Sequence, residues 1–416
     1  MSEKETELAI LVGITRSTDG LSECEKSLAE LSRLADTAGA MTYATVIQVK
    51  DTYDPRTLIG KGKVEEIAEL VKSSGADLVI FDEELSPAQI RNLENDIGDV
   101  SVLDRSMLIL DIFALHATSA EGKLQVEHAQ LKYTAPRLIG KGSVLSRQGG
   151  GIGTRGPGET KLETDRRHLH ERLQNLEARL RELENTRSIM RAQRDRSGLV
   201  KISLVGYTNA GKSTLLNYIT GSDVLSMDKL FATLDPTTRK TTLPSGEEVL
   251  FTDTVGFVRK LPHHLVKAFK STLDEVRYAD MLLIVCDASD PEVPSQIEVT
   301  RKVIEELSAD GKPCIYVFNK SDLADTELLT KASDTTVFVS AKTGYGIDEL
   351  LNIITEKIRQ NKKKVKLLIP YDKQSLLNAL YNEYVVEGTE YGDDGVLCEV
   401  ILDARGLGLY KKYTID

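Results

Sequence analysis

The stretch KISLVGYTNAGKST at 201–214 constrains what this chain can fold into more than any other. It sets G-x-x-x-x-G-K-[ST] directly after an apolar strand and at the head of a helix. That order belongs to an open, mostly parallel α/β sheet with helices on both faces. The loop from Gly206 through Tyr207, Thr208, Asn209 and Ala210 to Gly211 must wrap phosphate oxygens with backbone N–H groups, using dihedrals that side chains obstruct. Lys212 then supplies a point charge to β- and γ-phosphates, and Ser213 offers a hydroxyl to Mg2+. Thr214 follows in the first turn of a helix whose positive end faces the same phosphates.

Three further segments follow in the order a guanine-nucleotide domain needs, each ending an apolar strand, the edge where ligands collect in such sheets. FTDTVGF (251–257) ends in D-x-x-G. Asp253 can hold Mg2+ through water and the Gly256 N–H can meet a γ-phosphate, with Thr254 and Val255 between them. CIYVFNKSDL (314–323) ends in N-K-x-D. Asp322 would accept from guanine N1–H and the exocyclic amine, a pair adenine cannot offer, while Asn319, the Lys320 stem and Ser321 support the base. VFVSAKTGYG (337–346) carries Ser340, Ala341 and Lys342, where the Ala341 N–H can reach guanine O6. GTP and GDP are therefore the expected ligands and Mg2+ the expected cofactor.

Switch I belongs to LFATLDPTTRK (230–240), where one threonine must give Mg2+ its second hydroxyl. Phe231, Ala232, Thr233, Leu234 and Asp235 are read as nucleotide-facing. Thr233 is chosen because F-A-T-L resembles the switch of Obg-like GTPases, with Thr237 and Thr238 as competitors. No side-chain base is identified: in Ras-like proteins a water-orienting glutamine follows D-x-x-G, and here Phe257 stands there. Intrinsic hydrolysis is expected to be slow, with Lys212 and Asn209 supplying transition-state electrostatics. GTPases with asparagine at the position of Asn209 often resemble one another in binding K+, so K+ is a candidate second cation.

A length of 416 residues implies roughly two to four domains. The opening MSEKETELAILVG does not read as a signal peptide, and MLLIVC (281–286) is too short to cross a bilayer. Cys24, Cys286, Cys314 and Cys398 lie far apart, as reduced thiols do in a cytosolic protein. A cytoplasmic location is expected, with peripheral membrane association left open.

Residues 1–118 alternate strands (7–13, 41–49, 77–82) with helices (21–38, the stretch after the 58–62 glycine turn, 86–97), the pattern of a small parallel α/β domain. Residues 119–197 read as an arm of two long helices joined by a glycine-rich tip. Leucines at 162, 169, 173, 176, 180 and 183 form the packing seam. From 147 to 201 there are 13 Lys and Arg against 8 Asp and Glu, in a chain whose net charge is −11. A basic arm on an acidic body suits a polyanion, and Arg147, Arg155, Arg166 and Arg167 are the RNA-contacting candidates. The G domain spans 198–362, and 363–416 reads as a small α+β domain without assigned chemistry.

The stretch GGGIGTRGPGETKLETDRR (149–167), the phrase IGKGKVEEI (59–67) and LFATLDPTTR with DTVGF resemble HflX-type GTPases, a ribosome-associated branch of the translation-factor-related class. The resemblance covers roughly residues 5–360. It implies a cytosolic protein, monomeric when free, that binds the large ribosomal subunit and its RNA. The arm would reach toward the peptidyl transferase centre, and the activity would split or rescue stalled ribosomes. An Obg-like assembly factor and a signalling GTPase that dimerises through its helices remain the alternatives.

Overall fold

Seven successive residues of β1 (Glu7–Thr15), from Ala9 onward, are buried, as a strand covered on both faces requires. The computed structural model describes residues 6–138, 157–196, 198–222, 230–231, 235–262, 265, 270–324, 335–360, 363–402 and 404–415. After β1 come α1 (Leu21–Ala38), β2 (Ala40–Val49), α2 (Lys61–Ser74), β3 (Leu78–Phe81), α3 (Pro87–Ile97), β4 (Ser101–Asp104) and α4 (Arg105–His116). The four strands pair in parallel in the order β2-β1-β3-β4. Helix α1 turns Leu28, Leu31, Leu34 and Ala35 onto the sheet at helical spacing and stops at Gly39, φ +94°. Helix α3 opens on a Ser86–Gln89 capping box with Pro87 in its first turn. The sequence pattern does not reveal β4 and α4. SVLD is only four residues long, and RSMLILDIFALH is apolar around most of its circumference and so shows little periodicity.

Two long helices follow. Helix α5 (Ala120–Leu138) buries Val126 and Ala129 in the N-terminal core. Helix α6 (Pro157–Arg196) runs back antiparallel, with Arg187 paired to Glu121 and Arg172 to Glu127. Leu176 is buried and Leu169, Leu173, Leu180 and Leu183 half-buried, so the stripe is a helix–helix seam within the chain. The glycine-rich tip at 139–156, with Arg147 and Arg155, lies outside the described residues; Arg166 and Arg167 are exposed on α6.

β5 (Val200–Gly206), α7 (Lys212–Thr220), β6 (Thr237–Thr242), β7 (Glu248–Asp253), β8 (Met281–Asp287), β9 (Cys314–Asn319) and β10 (Thr336–Phe338) build the second sheet. Its order is β10-β9-β8-β5-β7-β6, parallel except for β6. β11 (Lys363–Ile369), β12 (Val385–Gly392), β13 (Gly395–Leu402) and β14 (Thr414–Ile415) make an antiparallel third sheet. It has its own core of Leu367, Ile369, Leu380, Val396, Cys398, Val400, Leu402 and Tyr410. The N-terminal and nucleotide-motif regions each bury one face of their sheet in a cluster of their own, Ile10, Ile67 and Phe81 in the first and Leu204, Phe251 and Leu283 in the second, and they share a third. One buried cluster runs from Leu31 and Phe113 into Tyr207, Phe231, Phe257 and Ile284, with the Phe113 and Phe231 rings edge-on at 4.6 Å.

Candidate functional site

Gly206 ends β5 at φ +150°, and a Cβ there would lie 2.1 Å from the Val285 carbonyl oxygen, so only glycine lets the strands stay adjacent at this edge. Asn209 is exposed in the left-handed region at φ +61°, which asparagine tolerates better than most residues. Lys212 is buried, and its Nζ donates to the Tyr207 carbonyl at 2.9 Å and the Gly206 carbonyl at 3.3 Å, which fixes the ammonium along the loop. Burial pushes its pKa down to about 8, against the pull of the Asp253 carboxylate. Ser213 Oγ donates to Asp253 Oδ2 at 2.6 Å. A hydroxyl beside a fully buried carboxylate is an all-oxygen donor pair of the kind Mg2+ takes, so these two residues fit the ion.

The N-K-x-D and S-A-K segments are tied to the 206–211 loop by one side chain. Asn319 Nδ2 donates to the Ala210 carbonyl at 2.9 Å, and its Oδ1 accepts from the Ala341 N–H at 2.9 Å. Ser321 N–H donates to the Val339 carbonyl at 3.1 Å, and the Ser340 hydroxyl accepts from Thr343 N–H at 3.2 Å, which shapes the turn holding Ala341. Lys320 has φ +59° and pairs through Nζ with Asp287 at 2.6 Å. Asp322 and Lys342 are exposed at the same edge.

Switch II lies against the loop. Thr208 N–H donates to the Phe257 carbonyl at 2.8 Å and Phe257 N–H to the Gly206 carbonyl at 3.0 Å, while Thr254 Oγ1 donates to the Leu204 carbonyl at 2.7 Å. Gly256 packs so closely that a Cβ would meet Thr208 Cα at 2.7 Å. The Phe257 side chain is fully buried in the shared core.

Switch I departs in part from the sequence expectation. Ala232, Thr233 and Leu234 lie outside the described residues. Phe231 is buried against Phe113, in the N-terminal region. Asp235, expected at the nucleotide, gives its carboxylate to the root of the arm. Oδ2 accepts from Ser119 N–H (2.8 Å), Thr118 N–H (3.2 Å) and the Thr118 hydroxyl (3.0 Å), and Oδ1 from the Ser119 hydroxyl (2.5 Å). The start of α5 exposes free N–H donors and a positive dipole end, which draw a nearby carboxylate. Burial opposes ionisation there, but the Ser119 and Thr118 hydrogen bonds hold the carboxyl below its usual range. Thr238 is engaged with Thr252 across the β6–β7 ladder at 2.9 Å, whereas Thr237 sits in register with Asp253.

A second group joins Tyr207 of the loop to residues that carry no motif. Tyr207 hydroxyl donates to the Glu30 carboxylate of α1 and accepts from the Arg259 N–H at 2.7 Å. Burial, then the Glu30 charge, push the phenol pKa well up, so it stays a donor. Arg105 bridges Glu30 and Asp82, and Lys260 Nζ reaches Asp82 and Glu83 at 2.5 Å each. Burial disfavours the Asp82 charge, yet Arg105 and Lys260 hold its pKa below the carboxylate range. The available signal was Glu30 itself, a charge set among the apolar positions of α1.

Four family models match the chain in succession: GTP-binding GTPase N-terminal over 25–114, GTP-binding GTPase Middle Region over 116–194, 50S ribosome-binding GTPase over 201–320, and HflX C-terminal domain over 327–406. Among curated relatives, a GTPase HflX of Caldanaerobacter subterraneus subsp. tengcongensis is 49% identical over 94% of this chain and 90% of its own. A GTPase HflX of Escherichia coli is 44% identical over 99% of this chain and 97% of its own. A solved Sulfolobus solfataricus GTP-binding protein in complex with GDP covers 84% of this chain and 98% of its own, at 24% identity and a TM-score of 0.43. No helix among the described residues is long and apolar enough to cross a membrane.

Proposed function

The chain belongs to the HflX family of GTPases, and from that premise we propose that it associates with the large ribosomal subunit and splits or rescues stalled ribosomes, its nucleotide state setting its affinity. As a member of that family it binds and hydrolyses GTP. The observation that carries the site is Asn319, whose side chain joins the N-K-x-D turn to the phosphate loop at Ala210 and to the S-A-K turn at Ala341. Base recognition and phosphate binding are thereby one rigid unit. Lys212 and the loop N–H groups meet the phosphates, and Ser213 and Asp253 hold the metal. Mg2+, when bound, offsets phosphate charge.

Phe257 gives hydrolysis nothing from its side chain, which is an apolar ring buried in the shared core. Orientation of the attacking water falls to backbone or to a partner, which supports slow intrinsic turnover and stimulation by the ribosome. The exposed Arg166 and Arg167, with Arg147 and Arg155 toward the tip, are suited to RNA phosphates. The leucine seam of α6 is used against α5 within the chain, which favours a monomer over a dimerising coiled coil.

The test is GTP turnover in potassium buffer with and without purified large ribosomal subunits. Stimulation on the order of tenfold or more is expected if the ribosome completes the site. Unchanged turnover with intact GTP binding would overturn the ribosomal part and leave the GTPase.

A further inference from the structure

Asp287 belongs to none of the four nucleotide motifs, yet it ends β8 directly beside Asn319 in the ladder with β9. Its carboxylate divides its work. Oδ1 accepts from the Ser289 N–H at 3.0 Å and the Ser289 hydroxyl at 2.6 Å, which locks the rotamer. Oδ2 is left to face Lys320 Nζ at 2.6 Å. The backbone around Lys320 is fixed independently, since the Asn319 carbonyl accepts from Ala288 N–H at 2.8 Å and Ser321 N–H donates to the Val339 carbonyl at 3.1 Å. Lys320 is therefore held at both ends, by a left-handed backbone at φ +59° and by an ion pair at the tip.

We propose that Asp287 is a positioning residue for the nucleotide: it acts through Lys320, holding that side chain in the one extended conformation in which its stem supports the guanine ring. The proposal rests on the guanine-site reading of N-K-x-D. A lysine stem has four rotatable bonds, and ordering it on binding costs entropy that a pre-formed ion pair removes in advance. The pair is only 26% and 16% exposed on its two sides, so water and salt screen it less than an ordinary surface pair. A device of this kind acts on ground-state binding and leaves the chemical step alone.

The experiment measures GDP affinity by calorimetry and GTP turnover for the full chain carrying Asp287→Asn, Lys320→Ala or both. Asp287→Asn keeps the shape and the Ser289 contacts while removing the charge. It is expected to weaken GDP and raise the KM for GTP about tenfold each, with kcat within about twofold. Inosine diphosphate should weaken by the same factor, because Asp322 reads the exocyclic amine and Lys320 does not. In the Lys320→Ala background the second change should add less than about twofold. Unchanged GDP affinity, a kcat loss with KM unmoved, or a full second loss in the double variant would each overturn the proposal. Asp322→Asn separates the two levels: if it leaves GDP binding intact, the guanine-site reading itself fails. An unfolding midpoint of the nucleotide-free Asp287→Asn protein equal to wild type excludes a folding defect.

Discussion

A buried ammonium has no water around it, and Lys212 is held by two carbonyls with Asp253 as its supporting charge. Its pKa of about 8 lies below the ordinary 10.5. In the free protein the unfolded chain therefore holds that proton more tightly, so this group adds stability as pH rises from about 8 to 10.5. Nucleotide binding runs the other way. A polyanion favours the charged lysine, so GDP binding above about pH 8 takes up a proton and weakens as pH rises, with no such dependence below. Calorimetry at pH 9 in buffers of different ionisation enthalpy should report the uptake; buffer-independent heats would show that Lys212 stays charged throughout. The candidate nucleotide motifs could be singled out in the sequence because phosphate and guanine each demand particular residue types at set spacings. The Asp235 contacts with Thr118 and Ser119 could not be read from the sequence, because those partners are more than a hundred positions away and carry no motif.

At the scale of elements, α1 and α4 are joined by charge inside an apolar setting. Arg105 is 1% exposed and bridges Glu30 and Asp82, themselves almost fully buried. Replacing Arg105 with Met leaves the buried Glu30 carboxylate without a cation, while Asp82 keeps only Lys260. The expected loss is about 3–5 kcal/mol in urea unfolding, because breaking a buried pair leaves uncompensated charge. Removing Arg56 from its exposed pair with Asp96 should cost far less, because water and salt screen that pair. Equal effects would mean that water reaches Glu30 and Asp82. The N-terminal α/β alternation could be read from residue pattern, since α1 and α3 each show one apolar face. The charged cluster could not, because Glu30, Asp82, Arg105 and Lys260 converge only after the sheets have formed.

Across the whole molecule, the N-terminal and nucleotide-binding regions are joined by a shared buried cluster beside the one each keeps for itself, while the third sheet's cluster stands apart. Heating should therefore give two transitions: one common to residues 6–360 and one for the C-terminal sheet. A chain truncated after residue 362 should keep GDP binding within about twofold, since no nucleotide motif lies beyond Lys342. Calorimetric scans of both forms check this; loss of GDP binding on truncation would show that the third sheet braces the site. The basic stretch KIRQNKKKVK leads into the third sheet in the sequence, whereas nothing in the composition near 198 signals the buried cluster shared across it. Composition marks a linker, but it does not say whether two apolar faces later close on each other.

A shared core also sets an order of events while the chain is being made. Leu31, Leu34 and Phe113 are synthesised long before Phe231, Phe257 and Ile284, which belong to the same buried cluster. The nascent chain passes through a stage in which one part of this shared cluster has emerged and waits, open to solvent, for the other.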